Sequence, residues 1–284
     1  MLNNTTHKSM TVTIENNIAH IVLNRPDAFN TMNIDFWHEL PNVINELSNS
    51  AAARVIVLSS TGKHFCAGMD LAVFTQSEKD KRLELGRKHE QLRHIVLKLQ
   101  ACFNALEKAR MPVLMAIQGG CIGGAVDMIS AADCRYCTEN AFFSIEETKL
   151  GMTADLGTLQ RLPKLISTGI VKELAYTGRR MLATEAESVG LVNNVYPDQE
   201  SMIAAVMDIA AEIASRSPLA VLGCKEMINY ARDHSISDSL DYMAVWQSGM
   251  FQPQTDMMET FSAKAEKRVP KFDNLNEIDD SNIL

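Results

Sequence analysis

No apolar run in the 284-residue sequence approaches the roughly 20 residues that a membrane-spanning helix requires. Met1 to Met10 is polar and holds no apolar stretch of the kind that forms a secretory signal. Basic residues are in deficit: 27 Lys and Arg stand against 35 Asp and Glu, a net charge of −8. The overall positive field of a nucleic-acid binder is therefore missing. The six cysteines, Cys66, Cys102, Cys121, Cys134, Cys137 and Cys224, mostly sit in apolar segments, which suits reduced, buried thiols better than a disulfide framework. Cys134-Arg-Tyr-Cys137 has C-x-x-C spacing but no second pair, and on a strand positions three apart face opposite sides. The seven histidines are scattered, with no Ser/His/Asp or H-E-x-x-H arrangement, so serine hydrolysis and zinc catalysis lose their support. No metal is expected.

What is present is an ordinary globular composition, 46% hydrophobic and 22% charged, long enough for one large domain or two unequal ones. Thr11–Glu15 alternates like a half-buried strand, Asn16-Asn17 supplies a turn, and Ile18–Leu23 reads as the returning strand. A helix pattern covers Asp35–Leu47, and Arg54–Leu58 is a short continuous apolar run, typical of a strand covered on both faces. From Lys79 to Arg110, apolar residues at Leu85, Leu92, Ile95, Leu99, Cys102 and Leu106 predict a long amphipathic helix. Pro112–Ile117 is another buried strand, running into the glycine-rich Gly119–Gly124 and an apolar helix, Ala125–Ala132. Short strands follow near Cys134–Cys137, Ala141–Ile145 and Leu191–Tyr196, separated by helices, so the class is α/β. Beyond Glu200 only helix patterns occur (200–215, 218–231, 236–250, 254–267), and the last dozen residues read as frayed.

The glycine cluster is not a nucleotide loop. Gly119 and Gly124 have P-loop spacing, but Ala125-Val126 stands where Lys-Ser/Thr is needed, and no G-x-G-x-x-G occurs. Its open readings are close helix–strand packing, or a helix start whose free N–H groups face developing negative charge. Ala67-Gly68, after another buried strand, offers a second such turn with the Met69 N–H as donor. Asp127 is a lone carboxylate in an apolar first turn, read either as a cap or as a compensated functional acid. Alternation along Phe143–Glu147 puts Glu147 on the apolar side, with a raised pKa suited to proton transfer, if the strand persists. Asp155 precedes the helical pattern Leu156–Ile166, where it is either the N-cap or a functional acid. Asp133 reads as holding a turn and Asp70 as capping the helix after Gly68.

As a whole, the pattern resembles the enoyl-CoA hydratase/isomerase (crotonase) family. The resemblance is carried by Leu23-Asn-Arg-Pro-Asp-Ala-Phe-Asn30, Phe65-Cys-Ala-Gly-Met-Asp-Leu71, Ile117-Gln-Gly-Gly-Cys-Ile-Gly-Gly124, Ala183-Thr-Glu-Ala-Glu-Ser-Val-Gly-Leu191 and Ser217-Pro-Leu-Ala220. It implies a ClpP-like spiral of ββα units over 1–199 and a C-terminal helical trimerisation module over 200–284. It also implies homotrimers or homohexamers and an acyl-CoA thioester whose carbonyl sits between the Met69 and Gly124 N–H groups. Ala67, Gly68, Asp70 and Leu71 would line the substrate site, and Lys264 or Lys267 would meet CoA phosphates. No cofactor is implied beyond the CoA of the substrate.

Hydratases of the family carry glutamates where Asp127 and Glu147 stand. Here the first is Asp, and the stretches Asp133-Cys-Arg-Tyr-Cys137, Ala154-Asp-Leu-Gly-Thr-Leu-Gln-Arg-Leu-Pro-Lys164 and Ser239-Leu-Asp-Tyr-Met-Ala-Val-Trp246 look like the dienoyl-CoA isomerases. That subfamily's three acids fall on Asp127, Glu147 and Asp155, implying isomerisation of a 3,5-dienoyl-CoA to its 2,4 form in fatty-acid degradation. The alternatives are hydration of a 2-enoyl-CoA and non-catalytic acyl-CoA binding. The Ser-Asn-Ile-Leu284 ending, without a basic leader, suggests a cytoplasmic enzyme.

Overall fold

The computed structural model describes residues 5–70, 72–75, 84–251 and 253–278. Asn16 and Asn17 take positive φ of 51° and 64°, the left-handed pair that a two-residue hairpin turn demands. Met10–Glu15 (β2) and Ile18–Leu23 (β3) therefore pair antiparallel as expected, with Thr5–Thr6 (β1) added at the outer edge. The Asn33 side chain accepts the Phe36 N–H and starts helix Ile34–Ser50 (α1). Its Phe36, Leu40, Val43, Ile44 and Leu47 recur at helical spacing and are buried. Val55–Ser60 (β4) is buried at every position, which is why its sequence shows no alternation.

After the short helix Ala72–Thr75 (α2) comes Leu85–Lys108 (α3). The chain then runs through Val113–Ile117 (β5), Gly120–Ile122 (β6), Gly124–Ser130 (α4), Cys134–Thr138 (β7) and Phe142–Ser144 (β8). A 3₁₀ turn at Glu147–Leu150 leads to Thr158–Leu165 (α5), Thr168–Thr177 (α6), Met181–Leu182 (β9), Ala183–Ser188 (α7) and Asn194–Tyr196 (β10). Four helices close the described chain: Gln199–Ala214 (α8), Pro218–Asp233 (α9), Ile236–Met250 (α10) and Met258–Ala265 (α11).

One sheet has the order β1-β2-β3-β4-β5-β7-β10 and is parallel from β3 onward; a second, smaller one is β6-β8-β9. The chain alternates between them, placing a strand in the large sheet, a short extended piece in the small one, and then a helix. Cys66 bridges Cys121, Cys121 pairs with Phe143, and Phe143 with Met181, so successive turns stack in register. This is the expected spiral of ββα units. Period-two alternation divides the large sheet's faces: Ile56, Leu58, Val113 and Met115 enter the main core. Val55, Val57, Leu114 and Ala116 point the other way, onto Met202, Val206 and Ala210 of α8. Each large apolar side chain so buried contributes roughly 1.5–3 kcal/mol.

Two expectations need correction. Leu85, Leu92 and Ile95 are exposed, and only the C-terminal half of α3 enters the core, through Cys102, Phe103 and Leu106. Residues 79–83 of that expected helix lie outside the described residues. The C-terminal segment is not frayed as far as it is described. Arg54 donates to Phe272 O at 2.5 Å and to Asn274 Oδ1 at 2.7 Å, Arg110 to Asn276 O at 3.0 Å, and Ile278 N to Asn49 O at 2.8 Å. Guanidinium groups binding a polar tail leave no periodic trace in sequence. All six cysteines are free, and among the described residues no helix is long and apolar enough to cross a membrane.

Candidate active site

Two turns meet where β4 and β5 end. Gly68 has φ +83°, and a Cβ there would lie 2.7 Å from Ile122 O and 3.3 Å from Gly124 N, so only glycine lets the turns close. A Cβ built on Gly124 would be 3.9 Å from Met69 N, which puts both main-chain nitrogens around one small space. Gly124 is the first residue of α4, whose N–H has no intrahelical acceptor. Among the described residues, neither the Met69 nor the Gly124 N–H donates to a protein acceptor. Such a pair suits an oxygen that gains negative charge.

Of the neighbouring positions, Ala67 N donates to Phe29 O at 3.0 Å. The Asp70 carboxylate accepts the Ala72 N–H at 3.1 Å, capping α2 as expected, and is also held by Thr31 and, at 3.5 Å, by Arg25. Leu71 lies outside the described residues. Asp133 accepts from Val113 N and from the buried Lys225 ammonium, at 2.7 and 2.8 Å.

Asp127, 1% exposed, does not serve its own helix. Its Oδ1 accepts the Thr158 N–H at 2.6 Å and so completes the start of α5, whose N-cap, Gly157, has no side chain to offer. Burial pushes Asp127 up to about 7 against the restraining Thr158 hydrogen bonds, and the charges of Glu147 and Asp155 push the same way.

Glu147 departs from the expected strand. β8 ends at Ser144, and Glu147 opens the following 3₁₀ turn, which still leaves it half-buried. Burial raises its pKa, with Asp155 and Glu146 adding to the effect. Its Oε2 is buried without a hydrogen-bond partner, and its Oε1 lies 3.3 Å from a Cβ built on Gly123, beside the Gly124 amide turn. Glu146 differs: burial would raise it, but bonds from Ser144 at 2.6 Å and Lys149 at 3.0 Å prevail and keep it low.

The N-cap alternative for Asp155 is also corrected, because α5 starts only at Thr158. Asp155 is exposed, yet its charge reaches both Asp127 and Glu147. Its loop is braced twice. Gln100 Nε2 donates to Asp155 O at 2.7 Å, and Arg161, paired with Glu107 at 2.7 Å, presses on Gly157. With φ +132° at Gly157, a Cβ there would meet Arg161 Nη1 at 1.9 Å. Gln100, Thr158 and Arg161 escaped sequence reasoning. Polar residues near a helix start or on a solvent face have no distinguishing spacing.

Lys264 and Lys267 are exposed and are not brought to this site. The segment after them runs to Arg54, at the N-terminal end of β4, whereas the amide turns follow its C-terminal end. Among the described residues, no group of three or more His, Cys, Asp or Glu is arranged to hold a metal ion.

The chain and its spiral have counterparts among known proteins. Residues 13–275 match the family described as enoyl-CoA hydratase/isomerase, and the chain belongs to that family. It is 43% identical over 265 residues to the mitochondrial Delta(3,5)-Delta(2,4)-dienoyl-CoA isomerase of Homo sapiens, covering 92% of this chain and 80% of that one. The peroxisomal enzyme of the same name from Arabidopsis thaliana is 42% identical, with coverage of 92% and 94%. The crystal structure of an enoyl-CoA hydratase from Bacillus anthracis matches with TM-score 0.82 at 31% identity, covering 96% and 100%. The mitochondrial and peroxisomal names of these relatives overturn the cytoplasmic placement; bulk composition carries no record of compartment.

Proposed function

We propose that the protein isomerises a 3,5-dienoyl-CoA thioester to the conjugated 2,4-dienoyl-CoA. Asp155 takes a proton from C2, and the electron pair spreads over C1 to C6 as a dienolate. Its oxygen is held by the Met69 and Gly124 N–H groups, each worth roughly 3–4 kcal/mol by analogy with other oxyanion holes. Glu147 returns a proton at C6, leaving double bonds at C2 and C4. One proton moves and no electrons are exchanged, so no cofactor is needed beyond the CoA of the substrate. The observation that carries the reading is Glu147 Oε2, buried and unpartnered beside the turn that bears the Gly124 amide. A carboxyl so placed favours its protonated form and has a proton to give.

The test is spectroscopic. Purified protein is incubated with a 3,5-dienoyl-CoA, and the ultraviolet band of the conjugated thioester is followed. Growth of the band with the wild type and not with Asp155→Asn supports the isomerase. Loss of 2-enoyl-CoA absorbance alone points to a hydratase, and silence with both substrates to an acyl-CoA binder.

The reading extends to assembly as a homotrimer or homohexamer through the helical module 200–284, whose first helix, α8, packs on the large sheet of the core 1–199. Its support is the large apolar side chains exposed on that module, Ile228, Ile236, Leu240 and Val245 among them. Lys264 and Lys267, remote from their own chain's site, would then serve the CoA phosphates of a neighbouring copy. Sedimentation of the purified chain tests the assembly.

A further inference from the structure

Thr158 stands at the junction of the buried acid and the loop that carries Asp155. It is 1% exposed, and its N–H binds Asp127 Oδ1 at 2.6 Å. Its hydroxyl oxygen is also buried: it faces the Asp127 carboxylate closely enough to help hold that acid's pKa down, yet it completes no well-formed hydrogen bond to a described protein group. A buried hydroxyl without a partner costs free energy unless it finds one during function.

We propose that Thr158 is the positioning residue of Asp127: its N–H fixes one carboxylate oxygen, and its hydroxyl turns to donate to the carboxylate once Asp127 ionises. The inference rests on the isomerase reading only where it concerns turnover. The titratable groups facing Asp127 are Glu147 from the 3₁₀ turn, Asp155 from the loop before α5, and the Cys121 thiol from β6. All are acids, so none offsets a charge on Asp127. Arg161, one turn along α5, is committed to Glu107 and Asn104. Thr158 is thus the group whose donors oppose the burial of this charge. An ionised Asp127 in turn keeps a proton on Glu147, because two neighbouring carboxylates resist ionising together.

The experiment compares wild type, Thr158→Val and Thr158→Ser, with Thr158→Ala as a second deletion should the valine variant fold poorly. The first readout is the infrared C=O band of protonated carboxyl between pH 5 and 9, assigned to Asp127 by its loss in Asp127→Asn. The second is the pH profile of kcat and KM with a 3,5-dienoyl-CoA. Without the hydroxyl, the Asp127 band persists to higher pH by about one unit, and kcat falls about tenfold on the acid side with little change in KM. Serine restores both. An Asp127 band that titrates in Thr158→Val and Thr158→Ala as in the wild type overturns the inference, whatever happens to activity. Absence of dienoyl-CoA turnover in the wild type overturns the proposed function instead, and the infrared titration still decides the role of Thr158.

Discussion

Gln100 Nε2 donates to the main-chain oxygen of Asp155 at 2.7 Å, so α3 holds the loop that carries the group proposed to act at C2. An exposed side chain on a loop is placed only as well as its backbone. Replacing Gln100 with Leu is expected to lower kcat about tenfold, with KM and the melting temperature nearly unchanged. Steady-state kinetics on the dienoyl-CoA substrate check this. A loss confined to KM would place Gln100 in thioester binding instead.

Glu147→Gln removes the proton that the proposed mechanism delivers to C6 and keeps the shape of the side chain. The expected drop in kcat is about 10²–10⁴-fold. In the wild type, the alkaline side of the profile is expected to follow the raised pKa of Glu147. The protonated fraction declines as pH climbs through that value, and activity declines with it.

Gly124→Ala tests the amide pair while sparing the fold. The added methyl would sit 3.3 Å from Met32 Sδ and 3.9 Å from Met69 N, in the space proposed for the thioester oxygen. A fall of about 10²–10³-fold in kcat/KM is expected, with circular dichroism unchanged.

Asp127→Asn should stabilise the protein above neutrality. Folding raises the carboxyl from 3.8 to about 7, so between those values the native state binds more protons than the unfolded one. Stability conferred by the neutral carboxyl is therefore complete at low pH and is lost as pH rises to about 7. Asparagine keeps an acceptor for the Thr158 N–H and never ionises. Thermal melts should show the variant ahead of the wild type at pH 8 by a few degrees, with the gap closing near pH 4. An equal gap at both pH values would refute the assignment.

Much of this was legible from residues alone. The paired Asn16-Asn17 announces its hairpin, continuous apolar runs announce β4 and β5, and glycines mark the turns that bring Met69 and Gly124 together. Glu147 was misread in conformation but not in environment, because Phe143 and Ile145 drew attention to the apolar side while nothing announced the end of β8 at Ser144. The partnership of Asp127 with Thr158 joins residues 31 apart through a side-chain acceptor and a main-chain donor, and no periodicity reports such a bond. Arg54 and Arg110 pin the tail in a similarly silent way.

The stacked register of Cys66, Cys121 and Phe143 also bears on how the chain acquires its activity. The amides proposed to hold the thioester oxygen belong to segments that meet only after the β4–α3–β5 crossover has been threaded, and contacts so distant along the polymer form slowly. On dilution from denaturant, ellipticity from the local helices should return first, and turnover should lag until the last coil of the spiral has closed.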